Sequence, residues 1–300
     1  MEKFKKENLV EVEPIVTSKV ILEFFRHGKK EKDPNKTNEE LLLTEEGRAQ
    51  AVEKGQELNP QAEVSLAWGS PRARSRETAA LTMLVNEGVD PNASLPEIEE
   101  AIDKELNKNG GNRNKIIEDS RLDFNFTGPG IGKWSMDLYM GDKPFLPTYV
   151  KESDKRALET NDKQNDTYTR KAGDIAEIVL RYIKVGNNFN QIVSKTDKYE
   201  ESGNQLERYL GTHGTVVEPL VAKILEKVKG EKARDEFAEA IVKDFPETKG
   251  MRVEITNNGS EQEIIVSYEG KEGVREEVVI DRDMIESIIK ERDEFEEKFN

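Results

Sequence analysis

The sequence predicts an α/β protein in three layers, α/β/α. It should have a mostly parallel sheet, an irregular cap over the C-terminal end of that sheet, and a small C-terminal α+β appendage. Three observations point there. Residues 19–25 form a short, nearly continuous apolar run, the pattern of a strand covered on both faces. Strand and helix patterns then alternate, which is the rhythm of a parallel sheet. Beyond Gly250 the texture changes to apolar–polar alternation around Asn257-Asn258-Gly259, a hairpin signal.

In chain order, residues 1–18 read as a charged lead-in with a short strand at 9–12. The main domain is expected over 19–248. Its first strand ends abruptly in Arg26-His27-Gly28, and Thr44 can N-cap a helix whose acidic first turn, Glu45 and Glu46, suits the positive end of the helix dipole. A second strand at 63–68 runs into Gly69-Ser70-Pro71, followed by a helix over 74–86. The stretch 88–165 is rich in Gly, Pro and Asn and reads as the cap. Helical spacing resumes over 167–183. A strand at 205–211 ends in Thr212-His213-Gly214, and a helix follows over 215–229. The appendage, 250–300, reads as a hairpin, a third strand and a helix capped by Asp281. Three uses are open to it: homodimer formation, restriction of substrate, or covering an apolar sheet face.

The counts exclude several chemistries. The 300 residues carry 46 Lys plus Arg against 61 Asp plus Glu, a net charge of −15, with two His and no Cys. Without Cys there is no disulfide framework, no thiolate-bound zinc or iron–sulfur cluster and no thiol nucleophile. Two His cannot make a three-histidine metal site. The acidic balance argues against nucleic acid and anionic membranes as partners. Apolar runs fall far short of the ~20 residues that span a bilayer, and no apolar leader follows the N-terminus. The expectation is a cytoplasmic protein.

Both histidines follow a predicted strand, and each precedes a glycine. Ligands of open parallel sheets bind beyond the carboxyl ends of strands, so His27 and His213 should meet there. A third strand end supplies Ser70 and three arginines, Arg72, Arg74 and Arg76, at a helix N-terminus. Arginine's planar fork binds phosphate oxygens two at a time, and helix N-termini favour anions. Two His and two Arg at the sheet ends make a site for a phosphoryl group. Each residue also has a plainer reading, a structural His or a solvated Arg.

Four segments occur in order: Phe25-Arg26-His27-Gly28, Leu43-Thr44-x-x-Gly47-x-x-Gln50-Ala51, Ser70-Pro71-x-x-Arg74-x-x-x-Thr78-Ala79, and Thr212-His213-Gly214. Together they resemble the histidine phosphatase superfamily, the group that includes the cofactor-dependent phosphoglycerate mutases. The resemblance covers about residues 19–230. It implies that His27 attacks phosphorus, that Arg26, Arg74 and His213 hold the phosphoryl oxygens, and that Gly28, Ser70 and Gly214 lie against the substrate. It implies no metal and no cofactor. A proton donor is implied as well, and two carboxylates compete: Glu97 in Leu95-Pro96-Glu97, and Asp123 in Arg121-Leu122-Asp123-Phe124, which is preferred because 95–106 reads as a surface helix.

Lys29, Lys30 and Lys32 follow the first motif where a mutase would carry an acidic or polar pair. That departure favours a phosphomonoester hydrolase acting on a small anionic phosphate ester. The alternatives are a phosphoglycerate-type mutase and a non-catalytic phospholigand-binding protein. Trp134, Tyr139, Phe145 and Tyr149 either line a pocket or form the cap's own core.

Overall fold

The computed structural model describes residues 16–62, 64–106, 116–259, 261–269 and 274–299; the strand expected at 9–12 lies outside them. Strand β1 (Thr17–Arg26) is followed by α1 (Glu45–Leu58), β2 (Val64–Gly69) and α2 (Ala73–Met83). Thr44 caps α1 as its sequence suggests, its hydroxyl accepting from Gly47 N. The segment expected to be irregular is largely helical: α3 (Leu95–Leu106), the short β3 (Ile117–Glu118), α4 (Ile131–Met140) and α5 (Phe145–Thr160). Helix α4 opens after Gly130, at φ +76°, and Asp162 receives the Ile131 N–H. The glycine-rich loop is thus a helix start rather than a flap.

Helix α6 (Tyr168–Val193) runs ten residues past its predicted end. Its polar-looking last turns still turn Gly186, Phe189, Asn190 and Val193 inward. Strand β4 (Gln205–Thr212) leads to α7 (Glu218–Lys229), which starts three residues later than expected because Thr215 takes a left-handed φ of 74°. An additional helix, α8 (Glu231–Ile241), precedes β5 (Gly250–Asn258), β6 (Glu261–Glu269), β7 (Arg275–Ile280) and α9 (Arg282–Glu297).

All seven strands form one sheet in the order β3-β2-β4-β1-β5-β6-β7. β1, β2, β3 and β4 are parallel, whereas β5, β6 and β7 add on in antiparallel fashion. The sheet is mixed where the sequence suggested a mostly parallel one. The C-terminal hairpin, strand and helix are present as expected, but β5 pairs with β1 along its length, so they continue the main sheet.

Successive side chains of a strand point to opposite faces, and β1 shows it: Val20, Leu22 and Phe24 join one apolar cluster, Phe25 the other. The larger cluster holds α6 and α7 with part of α9, the smaller α1 and α2. Both faces are covered around β1, β2 and β4, which makes the three layers. Phe145 and Tyr149 stack at 4.9 Å and are buried within the larger cluster, so they pack into the main core rather than lining a pocket. Trp134 packs beside Phe295 and Phe299, with Arg156 over its ring. No helix among the described residues is long and apolar enough to cross a membrane.

Candidate active site

The four parallel strands end on the same side, and each end supplies a polar residue. Arg26 ends β1 and His27 follows it, Ser70 to Arg74 follow β2, Asp123 follows β3 through a short 3-10 turn, and His213 follows β4. Two glycines let α2 press its first turn onto these strand ends. A Cβ on Gly211 would come 1.9 Å from the Ser75 carbonyl oxygen, and one on Gly69 would strike Arg76. That close approach carries Arg74 to His27.

His27 is buried between two partners. Its Nδ1 lies 2.6 Å from the Gly28 carbonyl oxygen, and its Nε2 accepts from Arg74 Nε at 3.1 Å. A carbonyl needs a proton on Nδ1 and a guanidinium N–H needs a lone pair on Nε2, so the imidazole is neutral with Nε2 bare. Burial and the Arg74 charge push its pKa down to about 3. His213 is also buried, its ring centroid 5.0 Å from that of His27. Its Nε2 meets Ser70 Oγ at 2.7 Å and lies 3.6 Å from Asp123 Oδ1. Burial first, then the neighbouring His27, Arg74 and Arg72, holds it well below the ordinary histidine range.

Arg74 is 2 % exposed and also donates to the Asn38 carbonyl. Burial and the nearby Arg72 bring its pKa down to about 10. Arg26 is anchored from the other side: Nη1 donates to Asp244 Oδ1 at 2.6 Å and to the Phe245 carbonyl at 3.0 Å. Asp244 takes the Tyr139 hydroxyl on its second oxygen, and buried Glu218 receives the Phe245 N–H. Burial and the Asp244 charge raise Glu218 to about 7. Lys30 is half-buried and its pKa is lowered by burial and by Arg74, Arg72 and Arg26. Lys29 instead turns to Glu46. Two neutral imidazoles thus lie inside an arc of Arg26, Arg72, Arg74 and Lys30, an arrangement suited to an anion with a nucleophile beneath it.

The family model for the histidine phosphatase superfamily (branch 1) matches residues 22–105. Over that stretch, less than a third of its length, the chain is similar to the histidine phosphatase superfamily. The match spans Arg26, His27 and Arg74 and stops before Asp123 and His213. No curated protein matches the chain significantly. Among solved structures, this histidine phosphatase-like chain is similar to the mycobacterial glucosyl-3-phosphoglycerate phosphatase, with 14 % identity over 81 % of this chain and 92 % of that one at a TM-score of 0.42. It is similar to the phosphoglycerate mutase of Bacillus anthracis str. Sterne, with 16 % identity over 91 % and 97 % at 0.39. A phosphoserine phosphatase of Entamoeba histolytica shows 11 % identity over 82 % and 94 % at 0.41.

In this histidine phosphatase-like site, the structure gathers His27, Arg26, Arg74, His213 and Asp123. It does not bring Glu97 there. The Glu97 carboxylate accepts from both the N–H and the hydroxyl of Ser94, a capping box at the start of α3, and it is exposed. Ser70 is wholly buried and its oxygen serves His213 and the Arg72 N–H, so it braces the site instead of facing a ligand. The two glycines are required by protein neighbours: a Cβ on Gly28 would meet the Gly47 carbonyl at 2.4 Å, and one on Gly214 the Asp244 carboxylate at 2.3 Å. Sequence reasoning left Arg72 open and missed Asp244 and Glu218. The spacing Ser94-x-x-Glu97 was the signal that could have retired Glu97. No group of three His, Cys, Asp or Glu suited to a metal ion occurs among the described residues.

Proposed function

We propose that the chain is a phosphomonoester hydrolase acting through a phosphohistidine at His27 on a small anionic phosphate ester, without a metal. The observation that carries this reading is the bare Nε2 of a neutral, buried His27 held by Arg74 beside His213. As the phosphoryl group takes over the Arg74 N–H that His27 Nε2 accepts in the free site, the freed Nε2 lone pair attacks phosphorus, the N–P bond forms, and the ester P–O bond breaks with its electron pair leaving on oxygen. Asp123 gives that oxygen a proton, a role worth about 10²–10⁴-fold. Water then attacks phosphorus and returns a proton to Asp123 as the P–N bond breaks, releasing phosphate and neutral His27. Two easier displacements replace one difficult one. Arg26, Arg74 and His213 offset the charge on the phosphoryl oxygens in each transition state.

The test is hydrolysis of p-nitrophenyl phosphate in the presence of a chelator. Wild type should release nitrophenol and His27→Ala should not; turnover that disappears on chelation contradicts the reading. One observation favours a second reading, a phospholigand-binding protein: both oxygens of Asp123 are engaged by Arg72. Phosphate binding without turnover of any ester would select it.

A further inference from the structure

Arg72 occupies an unspecified position of the third segment, Ser70-Pro71-x-x-Arg74, yet its side chain is one of the most heavily engaged in the site. It is 7 % exposed. Its Nε lies 2.8 Å from Asp123 Oδ1 and 3.0 Å from Oδ2, and Nη2 donates to the Phe124 carbonyl at 3.3 Å. The guanidinium stacks on the Phe124 ring, 4.2 Å from its centroid, and that ring meets His213 edge-on at 5.8 Å. The remaining nitrogen, Nη1, is buried and has no hydrogen-bond partner in the protein. A buried charged donor left unmade is costly, and buried N–H groups of this kind ordinarily have a partner. The charge of Arg72 also acts on Arg74, His213 and Lys30, and the Asp123 it holds lies 3.6 Å from His213 Nε2, so the guanidinium adjoins the His213 side of the site.

We propose that Arg72 is a further phosphoryl clamp that doubles as a latch on Asp123. The inference rests on the phosphatase reading of the site with Asp123 as donor. Without substrate, Arg72 occupies both carboxylate oxygens, so Asp123 is held but not free to act. An arriving phosphoryl group accepts from Nη1 and draws the guanidinium toward itself, releasing the carboxylate toward the leaving oxygen. A monoester monoanion supplies the proton: it passes from the phosphoryl oxygen to Asp123, and from Asp123 to the leaving oxygen as the P–O bond breaks; the proton that Asp123 later takes from the attacking water leaves with the released phosphate, and the carboxylate returns to Arg72. Phosphate and carboxylate therefore compete for one guanidinium, and only a ligand with a phosphoryl group arms the acid.

The competition is measurable without turnover, by calorimetric titration of inorganic phosphate into wild type, Arg72→Leu, Arg72→Lys, Asp123→Asn and the Arg72→Leu/Asp123→Asn double variant. Losing the fork should weaken phosphate about 10- to 100-fold, and Arg72→Lys, which keeps charge without the fork, should fall in between. Asp123→Asn should tighten phosphate when Arg72 is present and lose most of that effect in the Arg72→Leu background. Thermal midpoints of all variants report whether each is folded, and Arg72→Lys carries the test if Arg72→Leu is not. Phosphate binding equal to wild type in folded Arg72→Leu or Arg72→Lys overturns the clamp. Strict additivity of the two substitutions overturns the latch. Wild-type turnover of glycerol phosphate separates the two ideas: coupling without turnover sinks the phosphatase reading alone, and turnover without coupling sinks this proposal alone.

Discussion

Arg74 donates through Nε to Nε2 of His27 at 3.1 Å, while Nδ1 of the same ring meets the Gly28 carbonyl at 2.6 Å. The two contacts leave one arrangement of the ring: proton on Nδ1, lone pair on Nε2, no charge. Burial reinforces it, because charging this imidazole would put a cation beside Arg74 and Arg26. The same residues that would bind the phosphoryl group therefore keep its attacker unprotonated.

Ser70 is the joint of the site, touching His213 Nε2, the Arg72 N–H and Ser75 Oγ. Ser70→Ala should cost about 1–3 kcal/mol of stability by leaving buried polar atoms unpaired. It should also lower kcat/KM by about 10- to 100-fold through misplacement of His213 and Arg72. Urea unfolding and steady-state kinetics on one preparation check both; unchanged kinetics would show that His213 is held without Ser70.

Gly211 tests how α2 is seated. Its Cβ would have to displace the Ser75 backbone, 1.9 Å away, which no rotamer change relieves. Gly211→Ala should destabilise by at least about 1–3 kcal/mol, with the loss of phosphate binding exceeding that of a core substitution far from the strand ends. Denaturation beside a phosphate titration gives the answer.

Glu218 gives the fold a pH signature. Its carboxyl is raised from an ordinary 4.5 to about 7, first by burial and then by Asp244. Between those values the unfolded chain has released the proton and the folded chain has kept it. Stability from this group is thus full below about 4.5, falls as pH rises toward 7, and is level above that. The span amounts to about 3 kcal/mol at 1.36 kcal/mol per unit. His27, lowered in the fold, works in the opposite direction, so the informative quantity is the difference between variants. Glu218→Gln should gain on wild type as pH rises from 5 to 7.5 in urea titrations; a constant difference would contradict the assignment.

Asp123 and Glu97 separate cleanly by chemistry. Asp123→Asn should slow hydrolysis of an alkyl phosphate by about 10²–10⁴-fold while sparing p-nitrophenyl phosphate, whose leaving group needs little protonation. Glu97→Gln should leave both rates unchanged and alter only the start of α3. Equal losses on both esters in Asp123→Asn would remove it as the donor.

Much of this arrangement was legible in the sequence because local signals coincide with it. Apolar runs ending in Arg26-His27-Gly28 and Thr212-His213-Gly214 mark strand ends, and parallel strand ends converge by topology. Asn257-Asn258-Gly259 marked the hairpin, yet no local signal says that β5 pairs with β1, since that register belongs to residues more than two hundred positions apart. The Arg26–Asp244 pair was hidden for the same reason. The cap misled because Gly and Pro at 127–132 read as loop, whereas Asp162 completes a helix start from thirty-one residues away. Arg72 stayed open between a site residue and a solvated charge because nothing in Ser70-Pro71-Arg72 tells which way its side chain turns.

The central claim is a covalent intermediate at one nitrogen. Wild-type protein mixed with a phosphate ester and quenched in alkali, which preserves phosphohistidine, should carry one phosphoryl group on the peptide containing His27. The label should disappear in acid and be absent from His27→Ala. Product accumulating with that peptide unmodified, or the label appearing on the His213 peptide instead, would contradict the account.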